Sequence, residues 1–251
     1  MATTQENTTK RKRFLPLENN PDVMTKLLHT LGLDSDLEFH DVFSIDDPDL
    51  LAFVPRPAHA LLLVFPVSKT YQAHRQEEDQ DRADYNGSGA DEPVIWYPQT
   101  ISNACGLMGL LHGVSNGEAR NHIWPGSNLD KLIKEAIPLQ PKERAALIEN
   151  SEALESAHNA AAVTGDTAAP DLNEEVDLHY VCFVKSAKDG HLWELDGSRK
   201  GPLDRGPLKV DEDVLSEAAL DKGARAFMKR EQQTEGGELR FSLIVLGPAF
   251  D

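Results

Sequence analysis

The sequence has few cysteines and no long hydrophobic run, and each shortage excludes a class of protein. Two cysteines in 251 residues can form neither a disulfide scaffold nor the thiolate cluster of a structural zinc site. No apolar run approaches the ~20 residues that a transmembrane helix needs. One of the longest runs, ALLLVF at residues 60–65, has the length of a buried strand instead.

Positive charge is also scarce. The chain has 25 Lys and Arg against 42 Asp and Glu, which gives a net charge of −17. Such a charge repels nucleic acid and anionic lipid, and it favours a partner with a basic face. With 40% hydrophobic and 27% charged residues, the chain is neither wholly disordered nor fibrous. We therefore expect a globular protein that binds neither nucleic acid nor membranes.

The first residues lack the apolar segment of a secretory signal. Residues 1–13 are polar and end in the basic tract Lys10–Arg13, which fits a nuclear localisation signal as well as an ordinary solvated terminus. We predict a flexible tail over residues 1–13 and a single folded domain over residues 14–251. The expected location is the cytoplasm, and the basic tract leaves the nucleus open.

Apolar spacing and turn residues predict a mixture of helices and strands. The predicted helices cover residues 21–31, 103–115, 129–137, 141–154 and 211–230. The predicted strands cover residues 37–42, 60–65, 94–97, 178–184, 192–195 and 239–246. Because this order shows no regular βαβ alternation, the expected class is α+β.

Two segments show no regular pattern. Residues 76–93 are acidic and contain NGSG, which indicates a mobile loop. Residues 158–175 are small and polar without periodicity. A stretch of that length is typical of a functional lid or a linker.

Cys105 lies where a loop, QTISNACG at residues 99–106, meets an apolar helix. Free N–H groups and the dipole at a helix N-terminus favour a thiolate, and Gly106 leaves room for an incoming backbone. On position alone, a small buried cysteine packed with Leu107 and Leu110 is the more ordinary interpretation. A nucleophile also needs a base, an orienting acid and an oxyanion donor.

His179 is better placed than His112 to serve as that base. His112 follows Cys105 by about 10 Å along the same predicted helix, at ~1.5 Å per residue, which is too far for a hydrogen bond. His179 instead lies near the start of the first strand of a predicted hairpin.

Asp196 follows the second strand of that hairpin. If the turn is centred between Ala187 and Lys188, His179 and Asp196 are directly opposed, with Cβ atoms roughly 4.5–5.5 Å apart. A slip of one residue would place them on opposite faces of the sheet. Asp196 also fits an ordinary turn residue before Gly197.

Gln99 could donate its side-chain amide to an oxyanion together with the backbone N–H of Cys105. Taken alone, a loop glutamine is usually ordinary surface. Cys182 lies mid-strand and is expected to be structural. No zinc-protease helix, phosphate loop or dinucleotide fingerprint is present, so we expect no metal and no cofactor.

Three motifs together resemble the signatures of the ubiquitin carboxyl-terminal hydrolase family, which are papain-like thiol proteases. They are QTISNACG at residues 99–106, DLHY at 177–180 and LDG at 195–197. The cysteine motif is long and specific, and the other two follow in the right order and spacing. Shorter similarities extend over nearly the whole chain, at residues 14–18, 54–57, 61–66 and 238–241.

The resemblance assigns four roles: Cys105 as nucleophile, His179 as general base and acid, Asp196 as orienting carboxylate and Gln99 as oxyanion donor. It further implies substrate contacts at Leu15, Pro16, Leu17, Asn103 and Leu178. The implied fold is a knotted, papain-like backbone with a central antiparallel sheet flanked by helices. A crossover loop over residues 151–173 would lie above the active site. The chain resembles the short, single-domain branch without a C-terminal extension.

The expected function is hydrolysis after the C-terminal glycine of ubiquitin, by a monomer that releases small adducts or peptides. Two alternatives remain from the sequence. One is a protein that binds and stabilises monomeric ubiquitin with little turnover. The other is a hydrolase that acts mainly on another ubiquitin-like modifier.

Overall fold

A six-stranded antiparallel sheet lies between two layers of helices in the computed structural model, which describes residues 12–167, 177–234 and 239–250. The strands are β1 (Leu37–Asp41), β2 (Ala60–Pro66), β3 (Leu178–Lys185), β4 (His191–Leu195), β5 (Leu203–Pro207) and β6 (Ser242–Pro248). Their order in the sheet is β1-β6-β2-β3-β4-β5. The predicted α+β class with a central antiparallel sheet is confirmed.

Helices cover both faces of the sheet. Those in the described residues are α1 (Pro21–Leu31), α2 (Pro48–Leu51), α3 (Lys69–Asp79), α4 (Cys105–Ser115), α5 (Asn128–Ala136), α6 (Pro141–Glu149), α7 (Glu152–Ala162), α8 (Glu217–Lys222) and α9 (Ala224–Gln232), with a 3₁₀ turn at Glu118–His122. Within the three described ranges, no helix combines the length and the apolar character needed to cross a bilayer.

Strand β2 contributes side chains to a hydrophobic core on each face of the sheet. It is buried along its whole length, and it pairs with β3 on one side and β6 on the other. Leu62 and Val64 belong to the core shared with α1 and α4, whereas Leu61 and Leu63 belong to the core shared with α8 and α9. Because both faces are covered, the strand is an unbroken apolar run rather than an alternating one.

Helix α1 begins and ends where its sequence predicts. The Asn20 side chain accepts hydrogen bonds from the backbone N–H groups of Asp22 and Val23. The helix ends at Gly32, whose φ of 115° is the left-handed conformation that glycine adopts most easily. A Cβ atom at Gly32 would also lie only 2.1 Å from Cβ of Ser127, so the position cannot hold a side chain without movement.

The predicted strand at residues 94–97 is wrong. Among the residues that the structure describes, this buried segment pairs with no strand, and side chains satisfy part of its backbone instead. Asn116 bonds both the N–H and the carbonyl of Ile95, and the N–H of Tyr97 donates to Nε2 of His112. The segment is thus tied to helix α4.

The predicted structureless segment contains a helix. Residues 141–154 form two helices rather than one, because the chain breaks at Asn150 and Ser151 caps the new helix α7. Ala157, Ala161 and Ala162 of α7 are buried. Residues 152–162 therefore form a packed element, contrary to our expectation for the crossover loop, while residues 168–173 lie outside the described part of the chain.

The acidic segment at residues 76–93 is also more ordered than predicted. Helix α3 extends through Asp79, and the carboxylates of Glu78 and Asp79 form ion pairs with Arg199 at 2.6 and 3.3 Å. Glu92 pairs with the fully buried Arg144. These acidic residues bind neighbouring segments instead of forming a solvated loop.

Two further boundaries differ from prediction. The helix expected over residues 211–230 is two helices separated by Gly223, where a Cβ would lie 3.0 Å from the ring of Phe183. The last strand begins at Ser242 rather than at residue 239. Helix α3 and strand β5 were not predicted. The predicted tail falls almost entirely outside the described residues, which begin at Lys12.

His158 should make the protein less stable in mild acid. This buried residue packs against Phe14 with tilted rings whose centroids are 4.6 Å apart, and its Nε2 donates to the carbonyl of Leu15 at 2.7 Å. Burial lowers its pKa from 6.5 to about 4, so the folded state excludes a proton that the unfolded chain accepts below pH 6.5. Stability is therefore lost as the pH falls from 6.5 towards 4, by about 3 kcal/mol at most.

The variant His158→Gln checks this expectation, because its amide can still donate to Leu15 but does not titrate. Urea midpoints measured at pH 8 and pH 4.5 should fall further for the parent than for the variant. His112 is also buried with a pKa lowered to about 4, so the variant should keep part of the acid sensitivity. Equal losses in the two proteins would contradict the role of His158.

Candidate active site

Cys105 lies at the first position of helix α4, as predicted, and its side chain is partly exposed. The residue two before it, Asn103, has a φ of 61°, a left-handed conformation that asparagine tolerates and that turns the loop into the helix. Sγ of Cys105 lies 3.8 Å from the carbonyl oxygen of Leu178, which immediately precedes His179. The loop, the helix and strand β3 therefore meet at the thiol.

Gly106 allows this close approach. A Cβ atom at Gly106 would lie 3.3 Å from Cβ of Leu17 and 3.5 Å from the ring of Tyr180. A larger residue would push α4 away from the sheet and from the N-terminal segment. The glycine after Cys105 thus serves helix packing as well as access to the thiol.

His179 and Asp196 are in direct contact. Nε2 of His179 lies 2.8 Å from Oδ1 of Asp196, and both residues are buried. The hairpin register pairs Cys182 with Leu195, so Asp196 continues opposite Val181 and not opposite His179. The predicted register was wrong by two residues. Because side chains alternate with a period of two, the shift keeps both residues on one face, and they meet as diagonal neighbours.

The environment of this pair favours the charged forms of both groups. Burial opposes the ionised carboxylate of Asp196, but the charge of His179 and hydrogen bonds from His179, Tyr71 and Ser198 lower its pKa well below the usual value. Burial likewise opposes the imidazolium of His179. The charge and hydrogen bond of Asp196, together with Cys105, nevertheless raise the pKa of His179 to about 10.

Gln99 is hydrogen-bonded to the loop that carries Asp196. Its backbone N–H donates to the carbonyl of Gly197 at 2.8 Å, and its side-chain Nε2 donates to the carbonyl of Ile101 at 3.1 Å. A Cβ at Gly197 would lie 3.0 Å from the carbonyl oxygen of Tyr97, so this approach of two loops requires glycine. Gln99 lines the same cavity as Cys105 and His179, and its role as oxyanion donor stays a prediction.

Cys105, His179 and Gln99 line a small cavity of about 200 Å³. It is lined by Pro16, Leu17, Val67, Gln99, Asn103, Cys105, Leu178, His179 and Tyr180. Four of the five predicted substrate contacts are in this lining. The fifth, Leu15, is not: its side chain packs against the core, and its carbonyl accepts the hydrogen bond of His158.

The family model described as "Ubiquitin carboxyl-terminal hydrolase, family 1" matches residues 14–229. The chain belongs to this family. Ubiquitin carboxyl-terminal hydrolase 3 of Arabidopsis thaliana is 38% identical over 247 residues, which are 98% of each chain. Ubiquitin carboxyl-terminal hydrolase isozyme L1 of Monodelphis domestica is 36% identical over 231 residues, covering 92% of this chain and 96% of the relative.

A solved structure shares the fold of this ubiquitin carboxyl-terminal hydrolase. It is the catalytic domain of Trichinella spiralis UCH37 bound to ubiquitin vinyl methyl ester, with a TM-score of 0.70 and 21% sequence identity. The match covers 95% of this chain and 96% of that chain. At this identity the likeness shows the fold, and the papain-like architecture predicted from the motifs is confirmed.

The motifs of this hydrolase do not contain every residue at the site. Tyr71 and Ser198 both bond the carboxylate of Asp196, and neither was predicted. Ser198 follows the LDG motif by one residue and could have been found there. Tyr71 lies on the unpredicted helix α3, so no local pattern indicated it. In the described part of the chain, no group of three or more His, Cys, Asp or Glu side chains could hold a metal ion.

Proposed function

We propose that this protein hydrolyses the bond after the C-terminal glycine of ubiquitin through a covalent thioester on Cys105. The observation that carries the proposal is the contact of His179 with Asp196 at 2.8 Å, where His179 and Cys105 line the same small cavity. Because Nε2 of His179 is held by Asp196, its other ring nitrogen is left to exchange a proton with Cys105.

Sγ of Cys105 attacks the carbonyl carbon and forms a C–S bond while the carbonyl oxygen becomes an oxyanion. Gln99 and the N–H of Cys105 stabilise that oxyanion. The bond to the leaving group breaks as His179 gives it a proton. A water molecule then loses a proton to His179, attacks the thioester and releases the ubiquitin carboxylate and the thiol.

The narrow cavity supports selectivity for a tail of small residues. Pro16, Leu17 and Tyr180 border the space next to Cys105, and Asn103 and Leu178 complete the walls. The double glycine of ubiquitin can pass where bulkier residues cannot. The net charge of −17 also suits a partner with a basic face.

The contact of His179 with Asp196, next to the thiol of Cys105, favours turnover over the alternative of a ubiquitin-stabilising protein. Cys105→Ala separates the two, because a stabilising protein would keep its effect on monomeric ubiquitin without the thiol. The other alternative is a hydrolase that acts mainly on a different ubiquitin-like modifier. Hydrolysis rates measured side by side on ubiquitin and on that modifier would test it. That the protein is a monomer and lies in the cytoplasm stays a prediction.

We expect the protein to release small groups from ubiquitin faster than it cleaves one ubiquitin from another. The segment that follows α7 starts close to Pro16 and Leu17 of the cavity lining. The N–H and hydroxyl of Thr167 donate to the next residue, Glu18, at 3.2 and 3.1 Å. By family resemblance, this segment belongs to the predicted crossover loop. Loop-closure entropy grows slowly with length, so inserting about ten Gly and Ser residues after Thr167 should cost about 1 kcal/mol or less.

The test compares rates on linked diubiquitin and on a small C-terminal amide. The insertion should raise the diubiquitin rate relative to the amide rate, whereas an equal insertion at the exposed turn residue Gly126 should change neither. A parent protein that cleaves diubiquitin as fast as the amide would show that this segment does not select by size. Failure on both substrates would contradict the proposed function itself.

A further inference from the structure

The carboxylate of Asp196 has a second buried partner that the sequence motifs do not contain. Tyr71 of helix α3 donates its hydroxyl to Oδ2 at 2.6 Å, whereas His179 and the N–H of Ser198 lie 2.8 Å from Oδ1. The two carboxylate oxygens therefore have different partners. Tyr71 is 2% exposed and Asp196 is 1% exposed, so solvent is excluded from the bond.

The ring of Tyr71 is fixed by three elements. Ser68 caps helix α3 and accepts the N–H of Tyr71 at 2.8 Å. Phe65 of β2 meets the ring edge-on at 4.7 Å between centroids, and Phe227 of α9 packs at 5.5 Å. A ring held by β2, α3 and α9 directs its hydroxyl to one point, which is Oδ2 of Asp196.

The surrounding charges keep that hydroxyl a donor. Burial and the nearby Asp196 carboxylate raise the pKa of Tyr71, and Glu194 on β4 acts in the same direction. Arg75 on α3, with Cζ 5.6 Å from the ring centroid, acts in the opposite direction. Two groups on α4 face the same pair: Cys105 interacts with His179, and the buried His112 interacts electrostatically with Asp196.

We propose that Tyr71 is a positioning residue for the reaction. Its hydroxyl locks the Asp196 carboxylate so that Oδ1 alone faces His179, and the imidazole then stays aligned with Cys105. Without the hydroxyl, Oδ2 would be a buried acceptor that has lost its donor, and the carboxylate could turn about its Cβ–Cγ bond. This inference rests on the proposed function.

The test is Tyr71→Phe, which removes one oxygen atom and keeps the ring. On a small ubiquitin C-terminal amide, kcat should fall roughly tenfold, because hydrogen bonds to charged groups are among the strongest in proteins. KM should be unchanged, since Tyr71 does not line the cavity. A merely structural role would lower only the folded fraction, so kcat is normalised to the folded fraction measured by circular dichroism, and a structural role would then leave it at the parental value.

Tyr85→Phe is a matched control. The hydroxyl of Tyr85 also donates to a carboxylate, Oε1 of Glu92 at 2.7 Å, but Glu92 pairs with Arg144 and not with His179. Both variants should lose similar stability in urea, and only Tyr71→Phe should lose kcat. Equal kcat losses in the two variants, or parental kcat in Tyr71→Phe, would overturn the proposal.

Proton NMR of the free enzyme gives a readout that needs no substrate. The Nε2 proton of His179, held by the carboxylate, should resonate far downfield in the parent and in Tyr85→Phe, and should move upfield or broaden in Tyr71→Phe. An unchanged resonance in Tyr71→Phe would overturn the proposal. A parent without activity on ubiquitin substrates would instead contradict the proposed function, and the resonance would still test the alignment.

Discussion

Cys105→Ser is expected to abolish hydrolysis of a ubiquitin C-terminal amide, with a fall in rate of about 10⁴-fold or more. The hydroxyl of serine is far less readily ionised than a thiol, so the same position next to His179 no longer supplies a strong nucleophile. Initial rates at saturating substrate check this result. The variant should still bind ubiquitin, because the cavity walls are unchanged.

The other cysteine supplies the control. Cys182 lies fully buried on β3, where burial raises the pKa of its thiol, and it is not exposed to substrate. Cys182→Ser should keep the activity of each folded molecule and lose about 1–3 kcal/mol of stability, since it buries a hydroxyl in an apolar site. Comparable turnover by Cys105→Ser and the parent would exclude Cys105 as the nucleophile.

His179→Ala and Asp196→Asn should lower kcat by about 10²–10⁴-fold while affinity for ubiquitin changes little. His179 carries the proton in both steps of the mechanism. The amide introduced by Asp196→Asn would keep the shape of the carboxylate but lose its charge, so the imidazole would no longer be held in the productive tautomer. Because the charge of Asp196 raises the pKa of His179, its loss should also move the alkaline limb of the rate profile to lower pH.

A second His–Asp pair provides the matched control for this prediction. Nδ1 of His191 lies 2.9 Å from the carboxylate of Asp204 at the exposed edge of the sheet. Asp204→Asn breaks a similar contact away from Cys105 and should leave kcat and its pH profile unchanged. If Asp196→Asn instead lost affinity and kept kcat, the pair would serve substrate binding and not proton transfer.

The parts of the fold that the sequence predicts well have strong local signals. Helix α1 has an asparagine cap, a proline at its first position and a glycine at its end, and the buried strand β2 is continuously apolar. The hairpin could be predicted with the wrong register and still place His179 and Asp196 on one face, because only the parity of the register matters for that conclusion.

The elements that were missed lack such a signal. Helix α3 is mostly polar, and only Tyr71 and Asp79 of its residues are buried, so it shows no apolar stripe. Helix α7 packs largely through alanine, which barely distinguishes a buried face from an exposed one. Residues 94–97 are apolar like a strand, but the side chains of Asn116 and His112 take the place of a neighbouring strand.

The same distinction holds at the site. Cys105, His179 and Asp196 stand in short motifs that local pattern and family resemblance both identify. Tyr71 is separated from Asp196 by 125 positions, and the packing of α3 against β2 and α9 brings the two together. A partner of this kind depends on tertiary contacts that no local spacing encodes.

The position of β6 in the sheet determines the order in which the enzyme can assemble. Strand β6 lies C-terminal to every other described element, yet it is paired between β1 and β2. A chain emerging from the ribosome therefore leaves β1 without its neighbour, and one edge of β2 unpaired, until residues 242–248 have emerged. These long-range pairings close late and slowly. The sheet that carries His179 is consequently completed only after β6 has left the ribosome, because one edge of β2, the strand next to β3, stays open until then.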